Sequence, residues 1–317
     1  MSENSVYAIN EDLYCFWSAS RRHSATDFLK SLDPGYFACV ADQGAACLGN
    51  TELETRAAAS MRIAFFHGTE TLLLLLGAFV QGPACPQAWI GECKTPQLRE
   101  VMRKITVGEP LPVFNERIAA LSWNSIAEAV LRGSGQPRAI AIAPKFEGFW
   151  RRLAEAYLND DFSDEYNGLK HGFRVGHGGV AAAISNKPSG GSIPAEEDMT
   201  PLGSSKWGTS FKVIRRAGSD AKANRSRYSV DHYINWDAEH MMVVLHCISA
   251  SIHNVVAALQ VAHGATAATF KVPDLGDSEF PMELYTLSMA YDDPPADARA
   301  TTHEQLAVAV NSPARRR

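Results

Sequence analysis

The residues best suited to chemistry lie together between positions 166 and 172, where the sequence reads Tyr-Asn-Gly-Leu-Lys-His-Gly. Asn167 and His171 are four residues apart, so they share one face if this segment is helical. A histidine can donate and accept protons near neutral pH. Gly172 suits the left-handed backbone that ends many helices. The pattern therefore predicts a helix whose C-terminal end carries a proton-transfer group.

The segment from Asn167 to Gly172 resembles the end of the Arg-Asn-x-x-x-His-Gly signature of the HEPN superfamily, helical proteins of which many cut or bind RNA. The resemblance implies a helical bundle whose motif helix ends at the His-Gly step. It also implies that two protomers pair and bring two motifs into one cleft. Cleavage in that family is metal-independent, with the histidine acting on the ribose 2′-hydroxyl and the leaving oxygen. By this resemblance, His171 is the catalytic histidine and Asn167 is the polar residue after the arginine.

Tyr166 departs from the family pattern, because it occupies the arginine position. Tyrosine cannot make the bidentate, permanently cationic contact that arginine makes with a phosphate. Lys170 or Arg174 could supply a positive charge nearby. The candidate catalytic residues are therefore His171, Asn167, Tyr166 and Lys170, with Arg174 as a nucleic-acid contact. In the alternative interpretation, Asn167 and His171 only cap the helix and bond the following turn.

A second candidate surface is basic. The segment from Ser205 to Val230 carries seven basic side chains and one acid, Asp220. The basic residues are Lys206, Lys212, Arg215, Arg216, Lys222, Arg225 and Arg227. Trp207, Phe211 and Tyr228 lie among them, so nucleic-acid bases could stack beside the phosphate contacts. We predict RNA contacts at Arg215, Arg216, Arg225 and Arg227; the alternative is a solvated hairpin whose charges only prevent edge-to-edge pairing.

The other polar patterns favour structural roles. His67 and Glu70 have a metal-ligand spacing, but no further Glu-x-x-His pairs complete a di-metal site, so we expect a buried, hydrogen-bonded pair. We expect His246 and His253 to be satisfied by neighbouring groups. The segment 176–179, Gly-His-Gly-Gly, could bind an anion through backbone N–H groups, although a turn from helix into strand also accounts for it. We predict neither a metal nor a cofactor.

Composition sets the class of protein. Hydrophobic residues make up 46% of the chain and charged residues 21%, as in ordinary globular proteins. A net charge of −5 excludes a global basic field, so any nucleic-acid contact must come from a local patch. The N-terminal residues lack the pattern of a secretory signal, and the apolar run Leu72–Val80 is too short to cross a bilayer. Six cysteines without Cys-x-x-Cys spacing predict reduced thiols, and we expect a cytoplasmic protein without membrane association.

Hydrophobic periodicity predicts a mainly α fold, a HEPN-like helical bundle with a small antiparallel β insertion before the last long helix. The predicted helices are Glu11–Leu32, Asn50 or Thr51 to Val80, Thr95–Ile105, Pro112–Leu131, Lys145–His171 and Ala238–His263. Short β segments are predicted at Gly178–Ser185, Thr209–Arg216 and Arg225–Trp236, with a long loop over Asn186–Gly208. We expect one helical-bundle domain over 11–264, with 172–236 as the loop and β insertion. The tail 292–317 is expected to be disordered.

Two functions from different classes fit these patterns. The first is a HEPN-like protein that binds RNA, or a degenerate metal-independent endoribonuclease. The second is a non-catalytic module that dimerises and presents the basic hairpin to a protein or nucleic-acid partner. RNA and a second copy of the chain are thus the expected partners, and neither function needs an obligatory small-molecule cofactor.

Overall fold

The structure is a computed structural model of the 317-residue chain. It describes residues 5–17, 21–132, 140–171, 174–185, 199–216, 227–265, 269–273, 280–281, 284 and 287–292. Within these ranges the chain is mainly helical with small antiparallel sheets, which confirms the predicted class. The chain divides into two compact units. The helical unit comprises Met1–Tyr166 and Ala238–Leu284, and the sheet unit comprises Asn167–Asp237 and Tyr285–Arg317.

The elements are as follows. Helices are α1 (Arg21–Ser31), α2 (Tyr36–Cys47), α3 (Glu54–Gln81), α4 (Pro86–Glu92), α5 (Thr95–Val107), α6 (Trp123–Arg132), α7 (Ala143–Leu158), α8 (Asp160–Lys170) and α9 (Ala238–Ala262). Strands are β1 (Ser5–Ile9), β2 (Asp12–Phe16), β3 (Val175–His177), β4 (Ala181–Ser185), β5 (Met199–Ser204), β6 (Gly208–Arg216), β7 (Arg227–Asn235) and β8 (Leu287–Asp292). The boundary between the two units falls inside α8, after Tyr166.

Two long apolar helices, α3 and α9, pack against each other at the centre of the helical unit. By length and composition alone, each could cross a membrane. In the structure, 72% of the most apolar window of α3 and 78% of that of α9 are buried. Both helices are therefore packed mostly inside the helical unit, as core helices are.

The strongest periodic segments gave the correct helices. The predicted helices 95–105 and 238–263 correspond to α5 and α9, and the predicted helix ending at Val80 corresponds to α3. The start of α3 was predicted too early, because it begins at Glu54 and not at Asn50 or Thr51.

The predicted helix Glu11–Leu32 is wrong in its first half. Residues 5–16 form an antiparallel hairpin, and α1 begins only at Arg21. Contacts with distant helices hold the hairpin in place: the Gln81 side chain bonds both the N–H and the carbonyl of Asn10, and the Trp89 Nε1–H donates to the Ala8 carbonyl at 2.7 Å. Tertiary hydrogen bonds therefore override the helix-like spacing of the apolar residues.

The predicted helix Pro112–Leu131 is also wrong in its first half, since α6 begins at Trp123. The preceding segment covers the C-terminal end of α3. The N–H of Phe114 donates to the Val80 carbonyl, and the Asn115 amide donates to the Phe79 carbonyl, both at 2.9 Å. This segment satisfies carbonyls that the end of a helix leaves without partners.

The predicted single helix Lys145–His171 is two helices, α7 and α8, separated at Asn159. Arg99 of α5 stabilises the break. Its guanidinium donates to the carbonyls of Tyr157 and Leu158 at 2.8 and 2.7 Å. The Asn159 side chain accepts from the N–H of Asp161 at 3.0 Å and so caps the start of α8. A periodic pattern cannot show this break, because its cause is an arginine sixty residues away.

The sheet unit contains a four-stranded antiparallel sheet in the order β3-β6-β7-β8, with β4 and β5 as a separate pair. The β6–β7 register runs from Gly208 opposite Asn235 to Arg216 opposite Arg227, which confirms the predicted hairpin. The predicted loop over 186–208 is wrong where β5 lies. Sequence patterns did not predict β8, and the rest of the tail after Asp292 lies outside the described residues.

Candidate nucleic-acid interface

Tyr166, at the position of the family's arginine, is held by the helical unit. Its hydroxyl donates to Glu70 at 3.2 Å, and its ring stacks on Phe66 with the centroids 5.4 Å apart. Burial, with the Glu70 carboxylate as a further cause, raises the pKa of Tyr166 well above its ordinary value. Tyr166 is therefore a neutral, packed residue, and no cation occupies this position.

His67 and Glu70 do not form the expected buried pair. His67 is exposed and places the edge of its ring on Tyr166, with the centroids 5.5 Å apart. Glu70 is partly exposed and accepts the Tyr166 hydrogen bond. Among the described residues, no group of three or more His, Cys, Asp or Glu side chains could hold a metal ion.

The rest of the motif belongs to the sheet unit. Asn167, Lys170 and His171 are all exposed, and the His171 N–H donates to the Asn167 carbonyl at 3.2 Å. Gly168 faces β3, where an added Cβ would lie only 2.9 Å from Val175 Cγ1. The absence of a side chain at Gly168 thus allows the last turn of α8 to approach the sheet closely. Gly172 lies outside the described residues.

The glycine-rich segment after β3 is a turn, as the structural alternative predicted. Gly178 has a φ of +125°, which glycine adopts readily. The N–H groups of Gly178 and Gly179 donate to the carbonyls of Gly208 and Lys206, and that of Val180 donates to the Asn235 side chain. The anion-binding interpretation is therefore wrong, because these donors bond the protein itself.

An open groove with a volume of about 680 Å³ crosses β3, β6 and β7. Its lining includes Arg174, Ser210, Lys212, Ile214, Asp231 and Tyr233. The strand register places Lys212 opposite Asp231, and their side chains form an ion pair at the surface. Ser210 lies opposite Tyr233 and next to Gly176 of β3. The groove thus combines two basic side chains, one carboxylate and a partly exposed aromatic ring.

The opposite face of the same strands is buried. Phe211 and His232 stack with ring centroids 5.1 Å apart and an angle of 10° between the planes. Both side chains are buried, with 5% exposure each. Phe211 therefore supports the sheet and is not available for base stacking, contrary to the sequence-based expectation.

Two of the four arginines predicted to contact RNA, Arg215 and Arg227, have described side chains, and their environments differ. Arg215 is partly buried and lies opposite Tyr228, whereas Arg227 is exposed and lies opposite Arg216. Successive pairs in an antiparallel ladder present alternate faces, so Arg215 and Arg227 lie on opposite faces of the sheet. Arg225 lies outside the described residues. Arg215 and Arg227 therefore do not share one face, and Lys212 is the basic residue that the described part of the hairpin brings next to Tyr233.

Sequence reasoning did not select Tyr233, because it lies beyond the basic segment. The alternation of burial along β7 was the available signal. Val230, His232 and Ile234 are buried, whereas Asp231 and Tyr233 on the other face are partly exposed. Arg174 lines the groove because β3 pairs with β6, and sequence spacing does not show this pairing.

His246 and His253 are satisfied by neighbouring groups, as expected, and so is His263. His246 Nε2 lies 3.1 Å from the Asp42 carboxylate, His253 Nε2 bonds the Thr269 carbonyl, and His263 Nε2 bonds the Pro83 carbonyl. Burial lowers the pKa of His253. These side chains hold the helical unit together.

Comparison with known proteins gave no relative: no family model, no curated protein and no solved structure matches the chain. The HEPN resemblance therefore remains a prediction that depends on the motif.

Proposed function

We propose that this protein binds single-stranded RNA in the cytoplasm through the groove of the sheet unit and does not cleave it. The observation that carries the proposal is the groove across β3, β6 and β7, where Arg174 and Lys212 lie with Tyr233. Proteins that bind single strands combine a positively charged groove with aromatic side chains on which bases stack. Arg174 and Lys212 would contact phosphates, and Tyr233 would stack on a base.

The distribution of charge supports this location. The sheet unit contains fourteen basic and ten acidic residues, whereas the helical unit contains sixteen basic and twenty-five acidic residues. A polyanion is therefore attracted to the sheet unit and repelled by the helical unit. A protein with a net negative charge can bind RNA in this way, through one local surface.

The Lys212–Asp231 pair is compatible with phosphate binding. The Lys212 side chain is 68% exposed, and exposed ion pairs contribute little to stability. A phosphate can therefore replace Asp231 as the partner of Lys212 at little cost. The Asp231 carboxylate would then be free to accept a hydrogen bond from a ribose 2′-hydroxyl, a group that DNA lacks.

The environment of Tyr166 argues against cleavage. By the HEPN resemblance, a cation at this position would hold the scissile phosphate, but Tyr166 is neutral and bonded to Glu70. A HEPN-like endoribonuclease remains the second candidate, because Asn167 and His171 are both exposed one helical turn apart.

Binding can be tested by fluorescence anisotropy with a labelled single-stranded RNA at several salt concentrations. We expect Tyr233→Ala to weaken binding about 5- to 150-fold, because base stacking contributes about 1–3 kcal/mol. Lys212→Ala should reduce the slope of log K against log salt by about 0.7, the value for one phosphate contact on a single strand. The control is Arg151→Ala/Arg152→Ala on α7, which removes two exposed cations from the helical unit. Unchanged affinity and salt slope in both groove variants would refute the proposal.

Cleavage can be tested with the same RNA in EDTA, with the wild type, His171→Ala and Tyr166→Arg compared after their folding is verified. We expect intact RNA with all three proteins. Cleavage by the wild type that His171→Ala abolishes would establish the endoribonuclease instead, since loss of a general acid or base typically costs about 10²–10⁴ in rate.

A further inference from the structure

The face of the sheet that carries the groove has three residues in one row across the strands. The register places Ser210 of β6 opposite Gly176 of β3 on one side and opposite Tyr233 of β7 on the other. All three residues line the groove. Residues directly opposite each other on neighbouring strands share one face, and the strands are about 4.8 Å apart. The row therefore joins an aromatic ring, a hydroxyl group and a position without a side chain.

The two side chains of this row are available to a ligand. Ser210 and Tyr233 are both partly exposed. Within the ranges that the structure describes, the Ser210 hydroxyl has no hydrogen-bond partner, and the Tyr233 ring packs on no other aromatic ring. The hydroxyl can therefore donate to a bound group, and the ring can stack on one.

Gly176 makes the Ser210 hydroxyl accessible from the side of β3. An added Cβ at Gly176 would lie only 2.5 Å from Ser210 Oγ, whereas the nearest backbone atom, the Ser210 carbonyl oxygen, would be 3.8 Å away. Gly176 is not among the glycines with a positive φ, so its backbone conformation does not require glycine. A glycine inside a strand weakens the strand and often marks a position that a ligand approaches closely.

We propose that this row binds one purine base of the RNA, stacked on Tyr233 with its N7 accepting a hydrogen bond from the Ser210 hydroxyl. The inference rests on the RNA-binding proposal. Adenine and guanine both present N7 as an acceptor, and pyrimidines have no N7. The second ring of a purine also fills the space beside Gly176. A pyrimidine would leave this space empty and lose the van der Waals contacts there.

The neighbouring row supports this placement. Lys212 and Asp231 are paired two residues along from Ser210 and Tyr233, which is about 7 Å along the strands. The hydrogen bond with Asp231 raises the pKa of Lys212, and the nearby Tyr233 raises it further. The charged row would thus contact the phosphate and ribose of a nucleotide whose base occupies the neutral row.

Fluorescence anisotropy with labelled oligonucleotides tests the inference. The probes are a uridine tract and the same tract with one central adenosine, guanosine or 7-deazaadenosine, in which a C–H group replaces N7. The wild type should bind the adenosine and guanosine probes about 5- to 20-fold more tightly than the uridine tract, through one hydrogen bond and better stacking. The 7-deazaadenosine probe should bind about 2- to 10-fold more weakly than the adenosine probe. In Ser210→Ala these two probes should bind equally.

The space beside Gly176 is tested with Gly176→Val/Ser210→Ala. The added side chain no longer meets the hydroxyl, so the sheet should fold, which a thermal melt verifies. Compared with Ser210→Ala, this variant should lose the remaining preference for adenosine and keep its affinity for the uridine tract, because Lys212 and Tyr233 are intact. Ser229→Val is the matched control, at an exposed position on the same face of β7, and should keep the wild-type preference.

The outcomes separate this inference from the RNA-binding proposal. Equal affinity of the wild type for the adenosine and uridine probes would overturn the purine site. The RNA-binding proposal would still stand if Lys212→Ala and Tyr233→Ala weakened binding. A 7-deaza effect that persists in Ser210→Ala, or a preference that survives in Gly176→Val/Ser210→Ala, would also overturn the inference. Absence of binding to every probe would overturn both proposals.

Discussion

The two units use the same types of polar residue in opposite ways. In the helical unit, Arg62 and Glu165 form a bidentate ion pair with distances of 2.9 and 2.7 Å, and both side chains are almost fully buried. In the sheet unit, Lys212 and Asp231 form a pair that water reaches. A buried pair has a structural role only, whereas in an exposed pair one residue can exchange its partner for a ligand.

The contacts of Arg62 show that its role is structural. Its guanidinium carbon lies 4.9 Å from the ring centroids of both Phe65 and Phe66, and a further N–H donates to the Leu284 carbonyl. Every face of this cation is occupied by protein. The comparison teaches that burial decides the role of an ion pair: the buried Arg62–Glu165 pair is structural, and the exposed Lys212–Asp231 pair is accessible to a ligand.

The largest effect should come from the core of the helical unit. Leu73 is fully buried on α3, whereas Leu74 is partly exposed. Leu73→Asp should unfold the unit, because an unpaired buried carboxylate costs several kcal/mol or more, comparable to the roughly 5–15 kcal/mol of a whole domain. Leu74→Asp should lower the melting temperature much less. Circular dichroism melts measure both, and an unchanged melting temperature for Leu73→Asp would disprove its assignment to the core.

This pair also shows what the sequence could determine. The run of leucines after Glu70 predicts a central helix, and α3 is central. An apolar run without polar positions cannot show which leucine faces outward, and in the structure Leu74 is the partly exposed one among Leu72–Leu76.

Long-range contacts explain the remaining differences. The β6–β7 hairpin was predictable because alternation and turn residues are local signals. The N-terminal hairpin and the break before α8 depend on Gln81 and Arg99, each far away in sequence. The groove was missed for the same reason, because β pairing brings Arg174 near Lys212.

The second prediction compares the two ion pairs directly. Arg62→Met leaves the buried Glu165 carboxylate without its cation, and we expect a loss of about 3–5 kcal/mol in the free energy of unfolding. Arg62→Met/Glu165→Leu should recover much of it, because the uncompensated charge is gone. Lys212→Met should leave the free energy of unfolding almost unchanged, because its pair is exposed. Chemical denaturation measures all three variants; equal losses for Arg62→Met and Lys212→Met would contradict the comparison.

The third prediction concerns alkaline pH. Burial raises the pKa of the Cys247 thiol to about 12, and it also raises the pKa of Tyr157. The folded state keeps these protons at a pH where the unfolded state has lost them. Stability is therefore fully present below the unfolded pKa of the thiol, near 8.5, and falls as pH rises toward 12.

For the fully buried Cys247, the expected loss is about 1.4 kcal/mol per pH unit above about 8.5. Unfolding free energies measured from pH 7 to 10.5 give the slope. Cys247→Ala should reduce this slope, whereas Cys39→Ala, at an exposed position, should leave it unchanged. A slope that Cys247→Ala does not alter would show that this thiol does not contribute to the pH dependence.

The smallest predicted effect lies in the sheet unit, at Gly168. Glycine inside a helix costs about 1 kcal/mol relative to alanine, so Gly168→Ala should stabilise α8 if there were space. The new Cβ would lie 2.9 Å from Val175 Cγ1, however, and overpacking of this kind costs about 1–3 kcal/mol. The two effects oppose each other, and we expect a net loss of about 1 kcal/mol with faster amide exchange in β3 and β6.

Two variants separate these effects. Gly168→Ala/Val175→Ala removes the clashing methyl group. The amide hydrogens of β3 and β6 should therefore exchange more slowly in this double variant than in Gly168→Ala. Gly91→Ala on α4 is the control, because an added Cβ there meets nothing within 4 Å. Only the higher helix propensity of alanine should then affect stability. Because Arg174 immediately precedes Val175 and lines the groove, Gly168→Ala should also weaken RNA binding, which Gly91→Ala should not. A stabilised Gly168→Ala with wild-type amide exchange would mean that α8 does not need this close approach to the sheet.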